Sequence, residues 1–255
     1  MYDMPDEIEV RADGPLRIIT LNRPDDLNAV NDALHTGLAR LWPRLSEDRD
    51  ARAAVLTGNG RAFSAGGDFA YLEELRQDGD LRARSIAHGR DLVLGMVRCR
   101  VPLVAAVNGP AVGLGCSLVA LSDVVYLAES AYLADPHVQV GLVAADGGPL
   151  TWPLHTSLHL AKEYAFTGAR IKAERALEMG LANHVVADPL AEAVACAERI
   201  AKLPRQAVES TKRLLNLQVE RAVLATLDFA TTAEELSFQS EDFRAIIAEL
   251  TAGKG

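Results

Sequence analysis

Short apolar runs and helical spacings divide the chain into recognisable elements. Residues 8–11 and 16–21 are strand-like and flank Asp13-Gly14-Pro15, which predicts a β-hairpin. After the break at Asn22-Arg23-Pro24-Asp25-Asp26, apolar residues at Ala33, Leu34, Leu38, Leu41, Trp42 and Leu45 recur at helical spacing. They predict a helix with one buried face. Residues 53–57 and 103–107 are compact apolar runs and read as buried strands. Residues 69–76 and 81–98 read as helices, and the polar stretch 77–84 is expected to form a mobile link. Beyond Thr167-Gly168 the pattern turns almost wholly helical, with three or four helices expected between about residues 189 and 250.

The stretch from 101 to 149 organises the rest. Its strand breaks at Asn108-Gly109-Pro110, and Gly113-Leu114-Gly115 then leads into a helical pattern over 116–122. Backbone N–H groups at such a junction lack intrahelical partners, and glycine lets a ligand come close to them. Further on, Asp135-Pro136-His137 and Asp146-Gly147-Gly148 put one imidazole and one carboxylate in loop-like surroundings. A carboxylate bonded to one ring nitrogen fixes the tautomer and raises the basicity of the other, so His137 and Asp146 form a candidate acid–base pair. Asp146 could instead cap a helix beginning near Pro149. Asp68 reads as the cap of the helix after it, and Asp123 as a structural hydrogen-bonding group at the start of a strand over 124–127. Ser117 reads as a small pocket-lining residue. Glu234, Glu235, Glu241 and Asp242 read as a solvated helix face. His155 and His159, four apart on a possible helix, have metal-ligand spacing but no accompanying Glu or Cys cluster, so no metal is assigned.

Composition narrows the function. Twenty-six basic against 35 acidic residues give a net charge of −9 with no basic block, which argues against nucleic acid or an anionic membrane as partner. An anionic ligand must therefore be held by local groups. Cys99, Cys116 and Cys196 have no Cys-x-x-Cys spacing and read as buried, reduced thiols. The acidic start of the chain carries no signal-peptide pattern and no apolar run approaches a membrane span, so a cytoplasmic location is expected.

Phe63-Ser64-Ala65-Gly66-Gly67-Asp68 and Asn108-Gly109-Pro110-Ala111-Val112-Gly113-Leu114-Gly115-Cys116 together resemble the paired signature of the crotonase (enoyl-CoA hydratase/isomerase) superfamily. The similarity runs from Arg23-Pro24 through Gly180-Leu181-Ala182-Asn183 to the C-terminal helices. It implies an α/β fold, a crotonase-like spiral of repeated β-β-α units over residues 1–188, with a C-terminal helical trimerisation region over 189–255. It implies a homotrimer or a dimer of trimers acting on an acyl-CoA substrate. No cofactor is bound permanently, and coenzyme A arrives as part of the substrate. By the same resemblance the backbone N–H groups of Gly67 and Leu114 form an oxyanion hole for a thioester enolate. Arg23, Leu27, Asn28, Ala29 and Ala65 fall where the family contacts coenzyme A. Many members end in a basic, aromatic segment that touches a neighbour's cofactor; here only Lys254 could substitute, and a frayed end is expected.

Hydratases of this superfamily use two glutamates, which would fall at Ser117 and His137. Neither is a glutamate here. The His137/Asp146 spacing, with Gly141-Leu142-Val143 and Trp152-Pro153, is similar to a branch typified by 6-oxocamphor hydrolase, which cleaves C–C bonds of β-diketones by a retro-Claisen reaction. That branch has a further histidine where this chain has Leu114, and it lacks the coenzyme A segment that Leu27-Asn28-Ala29 resembles. The leading expectation is a hydratase or isomerase using His137/Asp146. A diketone hydrolase and a non-catalytic acyl-CoA binder are the alternatives.

Overall fold

The computed structural model describes residues 2–252. The chain starts with a hairpin, β1 (Ile8–Asp13) and β2 (Leu16–Leu21), followed by α1 (Asp32–Glu47), whose N-cap Asn31 accepts a bond from the Leu34 N–H. Next come β3 (Ala53–Gly58), α2 (Phe69–Gln77) and α3 (Gly79–Arg98). The following turn is β4 (Leu103–Val107), β5 (Ala111–Val112) and α4 (Leu114–Ala120). After it come β6 (Val124–Ala128), β7 (Tyr132–Ala134), α5 (Gly148–His155) and α6 (Leu158–Thr167). Then β8 (Ile171–Lys172), α7 (Ala173–Glu178) and β9 (His184–Val186) lead to three helices, α8 (Pro189–Ala201), α9 (Arg205–Ser237) and α10 (Glu241–Ala252).

Six strands form one sheet in the order β1-β2-β3-β4-β6-β9, parallel apart from the β1–β2 hairpin. A second layer holds β5, β7 and β8, extended by single parallel bridges between Val30 and Gly67 and between Ser64 and Ala111. Each turn of the chain thus gives one strand to the large sheet, one short extended piece to the second layer, and then a helix. That is the expected spiral.

The apolar strands are continuous because both faces of the large sheet are covered. Ile19, Leu56 and Ala105 face the core that includes Leu38 and Trp42 of α1. Ile18, Val55, Val104 and Ala106 face Ala193 and Ala197 of α8. The three cysteines are buried and unbridged. Among the described residues no helix is long and apolar enough to cross a membrane.

Two sequence expectations change. Residues 77–84 are not a mobile link: Asp78 accepts bonds from the Asp80 and Leu81 N–H groups and caps α3 two residues earlier than the apolar pattern suggested. The second glycine junction starts its helix at Leu114, not at Cys116. Two hydrogen-bonding assignments hold. Asp68 accepts from the Ala70 N–H at the start of α2, and Asp123 accepts from the Leu103 N–H at 2.7 Å. Lys254 lies outside the described residues.

Asp123 does more than close a strand. Lys212 of α9, almost wholly buried, donates to Asp123 Oδ2 at 2.6 Å and to the Val101 carbonyl at 2.8 Å. This charge pair ties the long helix to the start of β4 and β6. Lys212→Met keeps the stem but strands the Asp123 carboxylate, which is about one-fifth exposed. Urea unfolding should show a loss of about 2–3 kcal/mol, less than a fully buried pair would lose.

Candidate active site

The two glycine motifs lie in neighbouring turns of the spiral, and main-chain bridges bring them together. The Val30 N–H donates to the Gly66 carbonyl at 2.8 Å, and the Asp68 N–H donates to the Val30 carbonyl at 3.0 Å. In a parallel bridge of this kind the middle residue uses neither of its own groups, so the Gly67 N–H is turned away from Val30. Gly66 reaches this shape with φ of +88°, and a Cβ there would stand 3.1 Å from the Val112 carbonyl. On the second turn Gly113 has φ of +52°, and a Cβ on it would sit 3.6 Å from the Gly66 Cα and 3.7 Å from His137 Cε1. Glycine at 113 therefore lets the two turns and the imidazole close on one point. Leu114 follows as the first residue of α4, where a helical N–H has no partner within its own helix.

His137 is presented by a single 3₁₀ turn (His137–Val140) after Pro136, which ends at Gly141 in the left-handed region. Its Nδ1 is 2.5 Å from Oδ1 of Asp135, a residue only 2% exposed. Its Nε2 faces Asp146 Oδ2 at 3.7 Å, too far for a hydrogen bond. Asp146 is held from the other side by the Ser117 hydroxyl, which donates to Oδ1 at 2.7 Å. Gly67, Leu114, His137, Asp146 and Glu234 all line one cavity of about 80 Å³. A larger cavity, about 630 Å³, opens between α9 and the end of α4, but it contains none of these groups. Chemistry, not volume, identifies the site.

Several sequence-based assignments need correction. The residue that orients the imidazole is Asp135, not Asp146. A carboxylate two residues before a histidine, with proline between, was the available signal. Ser117 does not line the cavity; it is buried and secures Asp146. Asp146 caps nothing, since α5 starts after Gly147 without a side-chain cap. Glu234 is not on a solvated face. It is half-buried in the pocket wall, brought there by the docking of α9, which no local pattern reveals. His155 ends α5 while His159 lies in α6, so the two do not share a helix. Among the described residues no group of three His, Cys, Asp or Glu side chains is arranged to hold a metal ion.

The segment resembling a coenzyme A contact lies behind this site. Leu27 and Asn28 both have positive φ, +53° and +55°. The Asn28 side chain is fully buried and committed: it accepts from the Arg23 N–H and donates to the Asn59 and Ala62 carbonyls. The Ala65 N–H donates to the Leu27 carbonyl at 2.9 Å. The Arg23 guanidinium bonds Asp26, Asp68 and the Ala29 carbonyl. These residues hold the first glycine turn in shape.

Burial by itself would lower the His137 pKa, but the charges of Asp135 and Asp146 and the bond to Asp135 overcome it and push it up to about 10. Burial raises Asp146, with Asp135 adding to the rise and His137 opposing it. Glu234 is pushed up to about 8, by burial first and then by the Asp146 charge. At neutral pH the cavity wall thus holds an imidazolium facing Asp135 and Asp146 and, beside them, a protonated Glu234 carboxyl. Such a set can both donate and accept protons around a small reacting group.

The profile of the enoyl-CoA hydratase/isomerase family matches residues 12–251. The chain is similar to a human protein named Delta(3,5)-Delta(2,4)-dienoyl-CoA isomerase, mitochondrial, at 31% identity over 92% of this chain and 76% of that one. It is also similar to the mitochondrial enoyl-CoA hydratase of Pongo abelii, at 33% identity over 80% of this chain and 69% of the relative. Among solved structures, an enoyl-CoA hydratase/isomerase from Mycobacterium paratuberculosis is 74% identical, with a TM-score of 0.97 over 97% of this chain and all of that one. This chain belongs to the enoyl-CoA hydratase/isomerase family.

Proposed function

We propose that the protein is an acyl-CoA-processing enzyme of the hydratase/isomerase type that stabilises a thioester enolate and moves protons with His137 and Asp146. The supporting observation is the convergence of Gly67, Leu114, His137 and Asp146 on one cavity. In this reading the Gly67 and Leu114 N–H groups bond the thioester oxygen as negative charge develops on it. Water adds its oxygen to C3 of a 2-enoyl-CoA while the Asp146 carboxylate takes one water proton. His137 Nε2–H returns a proton to C2, giving a 3-hydroxyacyl-CoA, with the reacting group in the cavity against both Nε2 and Oδ2. The same pair can take a proton from one carbon of a 3-enoyl-CoA and return it to another, which is isomerisation. Protonated Glu234 donates a hydrogen bond into the cavity and keeps the wall from carrying three negative carboxylates.

Asp135 acts as the positioning group, holding Nδ1 so that Nε2 faces Asp146. Arg23 and Asn28 through their side chains, and Leu27, Ala29 and Ala65 through main chain, shape the coenzyme A side of the site, and helices α8, α9 and α10 provide the trimer or trimer-pair contacts. A held imidazole also suits attack of water on a carbonyl, so a cyclic β-diketone belongs among the test substrates.

Turnover of crotonyl-CoA, a 3-enoyl-CoA and a cyclic β-diketone in heavy-oxygen water tests this reading. Label should appear in a 3-hydroxyacyl-CoA, and both His137→Ala and Asp146→Asn should lose roughly 10²-fold or more in rate. Label in a ring-opened carboxylate would instead assign C–C hydrolysis. Full activity in both variants would remove the acid–base assignment, and coenzyme A binding with no turnover of any substrate would favour a non-catalytic binder. Because Glu234 is needed protonated, the rate should fall above about pH 8, and Glu234→Gln should abolish that alkaline limb. An unchanged limb in the variant would assign it to another group. Gly148→Ala would place a Cβ only 2.3 Å from Asp135 Oδ2 and push that carboxylate away from His137. The expected loss is on the order of 10²-fold in kcat, with the fold retained by circular dichroism.

A further inference from the structure

A second imidazole lines the same cavity, and nothing in the proposed chemistry uses it. His35, on α1, is 9% exposed, and its Nδ1 is buried without a hydrogen-bond partner. No partner is found for Nε2 among the described residues either. Gly89 of α3 presents no side chain to that nitrogen, and a Cβ added there would stand 3.9 Å from Nε2, in van der Waals contact. The neighbouring rings, Tyr71 and His88, stand at centroid distances of 6.4 Å. Ser85 lines the same part of the cavity. Its Oγ lies 3.0 Å from the Tyr71 hydroxyl, whose single hydrogen also has Asp32 Oδ1 at 3.4 Å as an acceptor.

The two imidazoles belong to different walls. The charges acting on His137 are those of Asp135, Asp146 and Glu234, whereas those acting on His35 are His88 and Asp32. Burial, with the His88 charge, pushes His35 down to about 4, so the ring is neutral at physiological pH. A neutral ring near the Asp32 carboxylate does not suit a negatively charged group. It suits an uncharged oxygen. A hydrocarbon chain laid against it would leave a buried imidazole unpaired, which is unfavourable.

The geometry points to an acyl group that carries a carbonyl or hydroxyl oxygen away from the thioester, bonded by the unpartnered His35 imidazole. This makes His35 a specificity-determining residue, and it rests on the acyl-CoA reading above. The substrate class is then a short enoyl-CoA whose acyl chain also carries an oxo or hydroxyl oxygen, bound in preference to a plain alkenyl one.

Calorimetric titration of the intact protein with pentanoyl-CoA and with 4-oxopentanoyl-CoA tests this, since the readout is binding and needs no turnover. The oxo ester should bind roughly five- to tenfold more tightly. His35→Leu should erase that preference by weakening the oxo ester alone, and His35→Gln, which keeps a polar group, should restore part of it. Equal binding of the two esters by the parent protein would overturn the inference even if a variant failed to fold. So would a preference that survives in His35→Leu. Binding of neither ester would overturn the acyl-CoA reading itself, and this inference with it. 4-Hydroxypentanoyl-CoA as a third ligand separates a hydroxyl from a carbonyl requirement.

Discussion

Single-residue parallel bridges between successive turns of the spiral are the constraint on which the site depends. Val30 grips Gly66 and Asp68, and Ser64 grips Pro110 and Val112, through main-chain bonds of 2.8–3.0 Å. A parallel bridge consumes the groups on either side of its middle residue and leaves that residue's own N–H turned away. The interactions that stack the turns therefore also leave the Gly67 N–H uncommitted. Side chains then have only to complete a backbone geometry set by the fold, which explains why glycine occupies so many of the contact points and why a bulky Leu114 is compatible with a backbone role.

The second layer of organisation is electrostatic. An imidazole between two carboxylates in a buried wall is favourable only because the positive ring offsets their repulsion. Any one of the three groups left alone would be costly to bury. Ser117 restrains Asp146 and Asp135 restrains the ring, so the distance between Nε2 and Oδ2 is fixed by groups outside the reacting pair. Such positioning lets a fold with neither of the two expected glutamates hold an imidazole facing a carboxylate in its cavity wall.

Much of this was legible in the sequence. Continuous apolar runs marked the sheet strands, and Asp-Gly-Pro marked the first hairpin. The paired glycine motifs marked the family and the two turns that meet at the candidate site. What escaped was whatever depended on packing between distant segments. Glu234 looks like any surface glutamate until α9 is laid against the pocket. His35 looks like one more apolar-face position of α1, because a helical pattern does not say whether a buried ring finds a partner. Residues 77–84 read as a linker because they are polar, yet a single well-placed aspartate at 78 is enough to join two helices without one.

The long helix α9 has a further consequence. Lys212, near its start, is fixed to the sheet, while Glu234, near its end, reaches the cavity. Roughly 33 Å of uninterrupted helix separates them at ~1.5 Å per residue. The helix works as a geared shaft, in which inserting or deleting one residue between the two positions turns the far end by about 100°. The intervening positions thus carry a constraint on length beside the one on residue type at the buried Val223, Leu227 and Ala230, and the exposed positions can drift only in register.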